Sequence, residues 1–125
     1  MVVMNVKKIL VITNDDDVFT KLHFEFDANK YELQRLTNPL LSVEILNNNN
    51  YYAVVADLSM KEIFMVDMLN NIGFVHTNMP VVLLSSNITA DDILLTYEFG
   101  FLEILPKDYK KGEIKKLIEC AVISS

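Results

Sequence analysis

The sequence predicts a single-domain α/β fold: a doubly wound parallel sheet of five strands alternating with five helices across residues 1–125. Two observations carry this. Strand and helix signals alternate from end to end, and the strand-like segments are continuous apolar runs, as strands buried on both faces are. A third observation places the chemistry. Four runs end on polar residues: KKILVITND on Asn14 and Asp15, YYAVVAD on Asp57, PVVLLSS on Ser85 and FLEILPK on Lys107. Ligands gather at the carboxyl ends of parallel strands. A carboxylate, a hydroxyl and an ammonium therefore converge on one edge, a set that suits aspartyl-phosphate chemistry.

Element by element, Val6 to Thr13 reads as a buried strand. Asp15, Asp16 or Asp17 then caps a helix carrying Val18, Phe19, Leu22 and Phe26 at helical spacing. Tyr31 to Thr37 alternates apolar and polar like an edge strand, and Asn38-Pro39 opens a short helix through Leu41, Ile45 and Leu46. Tyr51 to Ala56 is the third strand. A helix over about Lys61 to Ile72 turns Met65, Met68, Leu69 and Ile72 inward, with Gly73 near its end. Pro80 to Ser85 is the fourth strand, and Asp91 and Asp92 suit the positive end of a helix over Thr89 to Phe99. Gly100 stops that helix before a fifth strand, Phe101 to Leu105. The last helix buries Ile114, Leu117, Ile118, Ala121 and Val122, leaving Lys110, Lys111, Lys115, Lys116 and Glu119 in water.

Composition narrows the function classes. The apolar fraction of 51% excludes a disordered tail, and no apolar stretch is long enough to span a membrane. The start, MVVMNVKK, lacks the pattern of a signal peptide, so the expected location is cytoplasmic. A net charge of −6 argues against nucleic-acid binding. Cys120 is the single cysteine, which excludes an internal disulfide, and its place in the last helix predicts buried packing. His23 and His76 stand apart from any zinc ligand set. Ser85 has no recognisable base partner for a hydrolase triad, and Asn87-Ile88-Thr89 is a glycosylation acceptor without meaning in a cytoplasmic chain.

With Asp57, Ser85 and Lys107 in order and in register, the chain resembles the response-regulator receiver domain of two-component signalling, across essentially its whole length. Leu58, Ile72, Ser86, Gly100, Tyr109 and, on the first helix, Val18 and Leu22 also match the family's ungapped pattern. The resemblance implies a flavodoxin-like sheet of strand order 2-1-3-4-5. It implies Asp57 as phosphoacceptor, Ser85 as a hydrogen-bond donor to the phosphoryl group and Lys107 as its ion-pair partner. It further implies Mg²⁺ beside the acceptor, completed by the backbone carbonyl of Ser59. A histidine kinase or phosphotransfer protein would be the phosphodonor. Output would leave through the face made by the helix over 89–99, the fifth strand and the last helix, toward a downstream protein or a homodimer. Beyond self-phosphorylation and autodephosphorylation, no enzyme activity is implied.

The departures from the pattern are specific. The acidic pair that receivers carry after strand one falls on Thr13 and Asn14, which bear no charge. Asp15, Asp16 and Asp17 follow at once, and a slip of one or two residues would supply a carboxylate but displace the Val18/Leu22 match. Lys61 and Met65 replace the usual Pro and Gly of the loop after the acceptor, Ile104 the switch aromatic, and Asp108 the Pro after the Lys, with Pro106 now preceding Lys107. Asn14 can still ligate through its amide oxygen and Asp15 through water, so the expected metal set is Asp57, Asn14, Asp15 and Ser59. Mg²⁺ gains affinity with ligand charge. One carboxylate fewer at about 4 Å removes roughly 1–4 kcal/mol of attraction, so binding is expected to be weak.

Tyr97, Phe99 and Phe101 lie near the expected output face, at least half of that aromatic content being core, while Phe64 and Val66 could add an exposed apolar patch. Two other function classes stand beside the phosphorylatable receiver. A phosphorylation-independent pseudo-receiver would keep the fold as a docking or dimerisation module. A flavodoxin-like cofactor binder would need a phosphate-cradling loop, and TNDDDVFTK has acids and no glycine there. With nothing after the last helix, the chain is expected to be a stand-alone receiver or a piece of a longer protein.

Overall fold

Strand β1, Lys7–Ile12, pairs on one side with β2, Tyr31–Leu36, and on the other with β3, Ala53–Asp57. β4, Val81–Ser85, and β5, Glu103–Pro106, continue the sheet to give the order β2-β1-β3-β4-β5, every pair parallel. This computed structural model describes residues 6–59 and 79–124. Among them are four α-helices: α1, Asp16–Glu25; α2, Ser42–Asn48, entered through a 3₁₀ turn at Pro39–Leu41; α3, Ala90–Glu98; and α4, Glu113–Ser124. The helix expected over Lys61 to Ile72 lies outside the described residues, with Phe64, Val66 and His76.

Alternation along each strand divides the core into two layers. Ile9 and Val11, Ala53 and Val55, and Val82 and Leu84 pack with Val18 and Leu22 of α1 and Ile114 and Ile118 of α4. Leu10 and Ile12, Val54 and Ala56, and Val81 and Leu83 face the other way, against Leu46 of α2 and Leu95 of α3. Both faces are covered, which is why β1, β3 and β4 read as unbroken apolar runs. The edge strand β2 keeps exposed Glu32 and Gln34, and β5 ends on Pro106, a residue tolerated at an edge where no ladder N–H is needed. Lys107 N–H then donates to Ser85 O at 3.2 Å, so the pairing carries one residue past the proline.

Caps fix the helix starts near the site. Asp15 is the N-cap of α1, its Oδ1 accepting from Asp17 N–H at 2.9 Å. Thr89 and Asp92 form a reciprocal capping box on α3, at 3.2 and 3.0 Å. Gly100 follows that helix with φ +66°, a left-handed turn that a side chain would strain.

Two differences from the sequence reading have simple causes. β3 begins at Ala53 and β5 at Glu103, each two residues later than expected, because Tyr51, Tyr52, Phe101 and Leu102 pack as partly buried flanks before ladder pairing begins. Cys120 is exposed, not buried. It lies two residues beyond the fully buried Ile118, about 200° around the helix, so it turns to the opposite side from the Ile114–Ile118 stripe. Glu25 is also buried: its Oε1 accepts from Lys115 N–H at 2.9 Å in the first turns of α4, while its Oε2 and the buried Tyr109 hydroxyl have no hydrogen-bond partner among the described residues.

Candidate functional site

The carboxyl ends of β1, β3 and β5 bring Thr13, Asp57 and Lys107 together. Asp57 closes β3 and is only 1% exposed. Its Oδ1 accepts from Ser59 N–H at 3.0 Å and from Ser59 Oγ at 2.7 Å. Its Oδ2 accepts from Thr13 Oγ1 at 2.7 Å and lies 3.1 Å from Lys107 Nζ. Each carboxylate oxygen thus has two partners, the condition under which a charge tolerates burial.

Lys107 Nζ sits at the meeting point of three oxygens. Besides Asp57 Oδ2 it has Ser59 Oγ at 2.7 Å and Asp15 Oδ2 at 3.3 Å. An ammonium has three protons, and here they face three acceptors. Burial alone would lower the Lys107 pKa, but hydrogen bonding and charge from Asp57, then Asp15, outweigh it and raise the group above its usual value. The hydrogen bond from Lys107 holds the Asp15 carboxyl below its usual value, helped by the Asp17 N–H at the cap. Thr13 is fully buried; its hydroxyl donates to Asp57 and accepts from Asp15 N–H at 3.0 Å, closing the ring.

A second ammonium supports the loop after β5. Lys21 of α1 donates to Lys107 O at 3.3 Å and to Tyr109 O, and lies 3.8 Å from the centre of the Tyr109 ring. Burial, reinforced by the charge of Glu25, pushes the Tyr109 phenol far above its ordinary pKa.

Of the expected site residues, Asp57, Asp15, Lys107 and Ser59 converge. Ser85 stands at the end of β4 one residue past Leu84, the residue that pairs with Asp57. Its hydroxyl accepts from Asn87 N–H at 3.2 Å and takes no part in the Asp57 cluster. Strand alternation places it with Leu83, whose partner across β5 is Ile104. Asn14 is exposed, and none of the described hydrogen bonds ties it to the cluster. The residues present do not suit a divalent cation as arranged. The two carboxylates, Asp57 and Asp15, both face the Lys107 ammonium, and no group of three or more acidic, His or Cys side chains forms among the described residues.

Residues 9–119 match the family model of the response regulator receiver domain. The chain belongs to that family. Solved structures share the receiver fold at low identity. A receiver domain protein from Clostridium thermocellum is 22% identical with a TM-score of 0.79, over 95% of this chain and 96% of its own. A response regulator from Thermotoga maritima is 15% identical with a TM-score of 0.81, over 97% and 100%. An orphan response regulator of H. pylori is 15% identical with a TM-score of 0.78, over 93% and 96%. No curated protein matches the chain. Among the described residues, no helix is long and apolar enough to cross a membrane.

Three contributions to this receiver site escaped the sequence reading. Thr13 registered as a missing charge, whereas its hydroxyl donates to Asp57 across a separation of 44 residues. For Ser59, expected as a carbonyl ligand, the unforeseen part is its hydroxyl and N–H, which hold Asp57. Its position two residues after Asp57 is the signal for such a local bond. Lys21 reaches residues 86 and 88 positions away, and no local pattern announces it.

Proposed function

We propose that this receiver accepts a phosphoryl group on Asp57 from a histidine kinase or phosphotransfer protein and passes the change to a partner-binding face. The observation that supports this best is the Asp57–Lys107 contact of 3.1 Å at the end of β3, with Asp57 buried. A carboxylate oxygen bonds to phosphorus while the P–N bond of a phosphohistidine breaks, the electron pair remaining on the imidazole nitrogen. The protein's task in such a transfer is positioning and positive charge. Lys107 turns from the carboxylate to a phosphoryl oxygen, and Ser85 donates to another. Binding of Mg²⁺ around Asp57, Asp15 and Asn14 is weak, since the ammonium competes for the carboxylates.

Readout follows the second core layer. Ser85, Leu83 and Ile104 share the face of the sheet that carries α3. Hydrogen bonding of Ser85 to the new phosphoryl group shifts the packing of Ile104, and α3 presents the result. Ile93, Leu94 and Tyr97 of that helix are 45%, 58% and 80% exposed, an apolar surface for a downstream protein or a second copy. Phe99 and Phe101 are only partly buried and stack at 5.5 Å beside it.

The test is intact mass after incubation with acetyl phosphate, with Asp57→Asn alongside. A gain of one phosphoryl group that the variant lacks supports the reading. Equal gain in both proteins, or none in either with a cognate phosphohistidine donor also supplied, would remove it.

A further inference from the structure

The receiver family is expected to hold a divalent cation at its acceptor, yet the groups around Asp57 are arranged for a different cation. We infer that the Lys107 ammonium is the resident cation of this pocket, taking the place that a metal would otherwise fill. The inference rests on the reading of Asp57 as the receiver site.

Three features carry it. The ammonium lies within 3.3 Å of oxygens from three separate segments: Asp15 at the start of α1, Asp57 at the end of β3, and Ser59 in the loop beyond. Charge is nearly balanced already: two carboxylates, Asp15 and Asp57, meet one ammonium, leaving the cluster at −1, and the excess sits on Asp15, the one with a side chain 37% exposed. A third carboxylate at position 13 or 14 would leave that cluster at −2 and give a divalent ion something to neutralise. Instead Thr13 supplies a neutral hydroxyl that satisfies Asp57 Oδ2 by hydrogen bonding. The loss of the acidic pair and the placement of Lys107 are thus two parts of one arrangement. A hydroxyl replaces the carboxylate, and an ammonium replaces the metal.

One consequence separates this inference from a site that has merely decayed. A decayed site binds metal poorly whatever occupies residue 107. A site held by its own lysine binds metal better once that charge is gone, because Asp57 and Asp15 lose the partner they share. The full chain is titrated with Mn²⁺, an oxygen-seeking stand-in for Mg²⁺, reading free ion by electron paramagnetic resonance. The wild type should bind more weakly than about 1 mM, the loose end of protein calcium sites. Lys107→Gln should bind at least tenfold tighter, and adding Asp57→Asn to it should abolish the gain. Submillimolar binding by the wild type, or no gain in a folded Lys107→Gln, overturns the inference.

A second measurement needs no neutral variant. The Lys107 ammonium is followed in the wild type by ¹⁵N NMR, assigned by its loss in Lys107→Arg, as Mg²⁺ is added over the same range. An unmoved signal supports residence, and displacement at submillimolar Mg²⁺ refutes it. Neither experiment contains a phosphodonor, so failure of Asp57 to take a phosphoryl group would leave both outcomes readable.

Discussion

Replacing Thr13 with Val preserves shape and deletes one hydroxyl at the centre of the cluster. Thr13 is fully buried, and its Oγ1 donates to Asp57 Oδ2 at 2.7 Å while accepting from Asp15 N–H at 3.0 Å. A hydrogen bond to a charged group contributes about 1.5–3 kcal/mol. The Asp15 N–H belongs to a partly exposed cap and can turn to water, so it adds little. The expected loss of stability is therefore roughly 2 kcal/mol. At about 2.1 cal/mol/K of unfolding entropy per residue, 125 residues convert this into a Tm lower by roughly 8 °C. Urea unfolding should show a lower midpoint at unchanged slope. The decisive control is a cycle with Asp57→Ala, in which the hydroxyl no longer has its carboxylate. There Thr13→Val should cost less than about 0.5 kcal/mol. An equal cost in both backgrounds would mean that Thr13 acts by packing alone, and the account of the cluster would fail.

The Asp15 carboxyl gives a pH signature. Its folded pKa is below its ordinary value of 3.8, so its contribution is present above that value and disappears as pH falls through the lower folded pKa. Asp15→Asn keeps a good N-cap and removes the charge. Urea midpoints should differ between the two proteins at neutral pH, and the gap should shrink as pH falls below the ordinary carboxylate value of 3.8 toward the lower folded pKa; a gap equally wide at every acid pH would contradict the ion pair. On α3, Thr89→Ala removes the hydrogen bond from Asp92 N–H to the Thr89 hydroxyl, leaving the backbone N–H of residue 89 to donate to Asp92, and should cost about 1 kcal/mol in chemical denaturation. The proposed labelling of Asp57 by acetyl phosphate should be unaffected, and a matching loss there would tie α3 to Asp57 directly.

Much of this was legible in the chain because burial on both faces writes strands as apolar runs, and runs that stop on polar residues mark the sheet's active edge. Asp57 and Lys107 were found that way, and they meet at 3.1 Å. Asp15 was one of three candidate caps and is the one that caps α1, while its second task, pairing with Lys107, depended on where β5 ends. Cys120 was misplaced because a helix stripe wide enough to include Leu117 and Ala121 has blurred edges in sequence, and only the three-dimensional phase of Ile114 and Ile118 resolves them. Thr13 was read by what it lacks. A neutral hydroxyl announces nothing until its partner, 44 residues away, is in place.

The clamp of Lys21 on the Lys107 and Tyr109 carbonyls bears on speed. With the main chain on both sides of residue 108 tied to α1, Lys107 can re-aim its charge only by turning its own four-carbon stem. Side-chain rotamer changes of exposed groups take picoseconds to nanoseconds, whereas loop movements take nanoseconds to microseconds. Lys107 is partly buried, yet the proposed handover from carboxylate to phosphoryl oxygen would need no travelling loop. A slow phase in the proposed switch would then be sought in the repacking of Ile104 and α3.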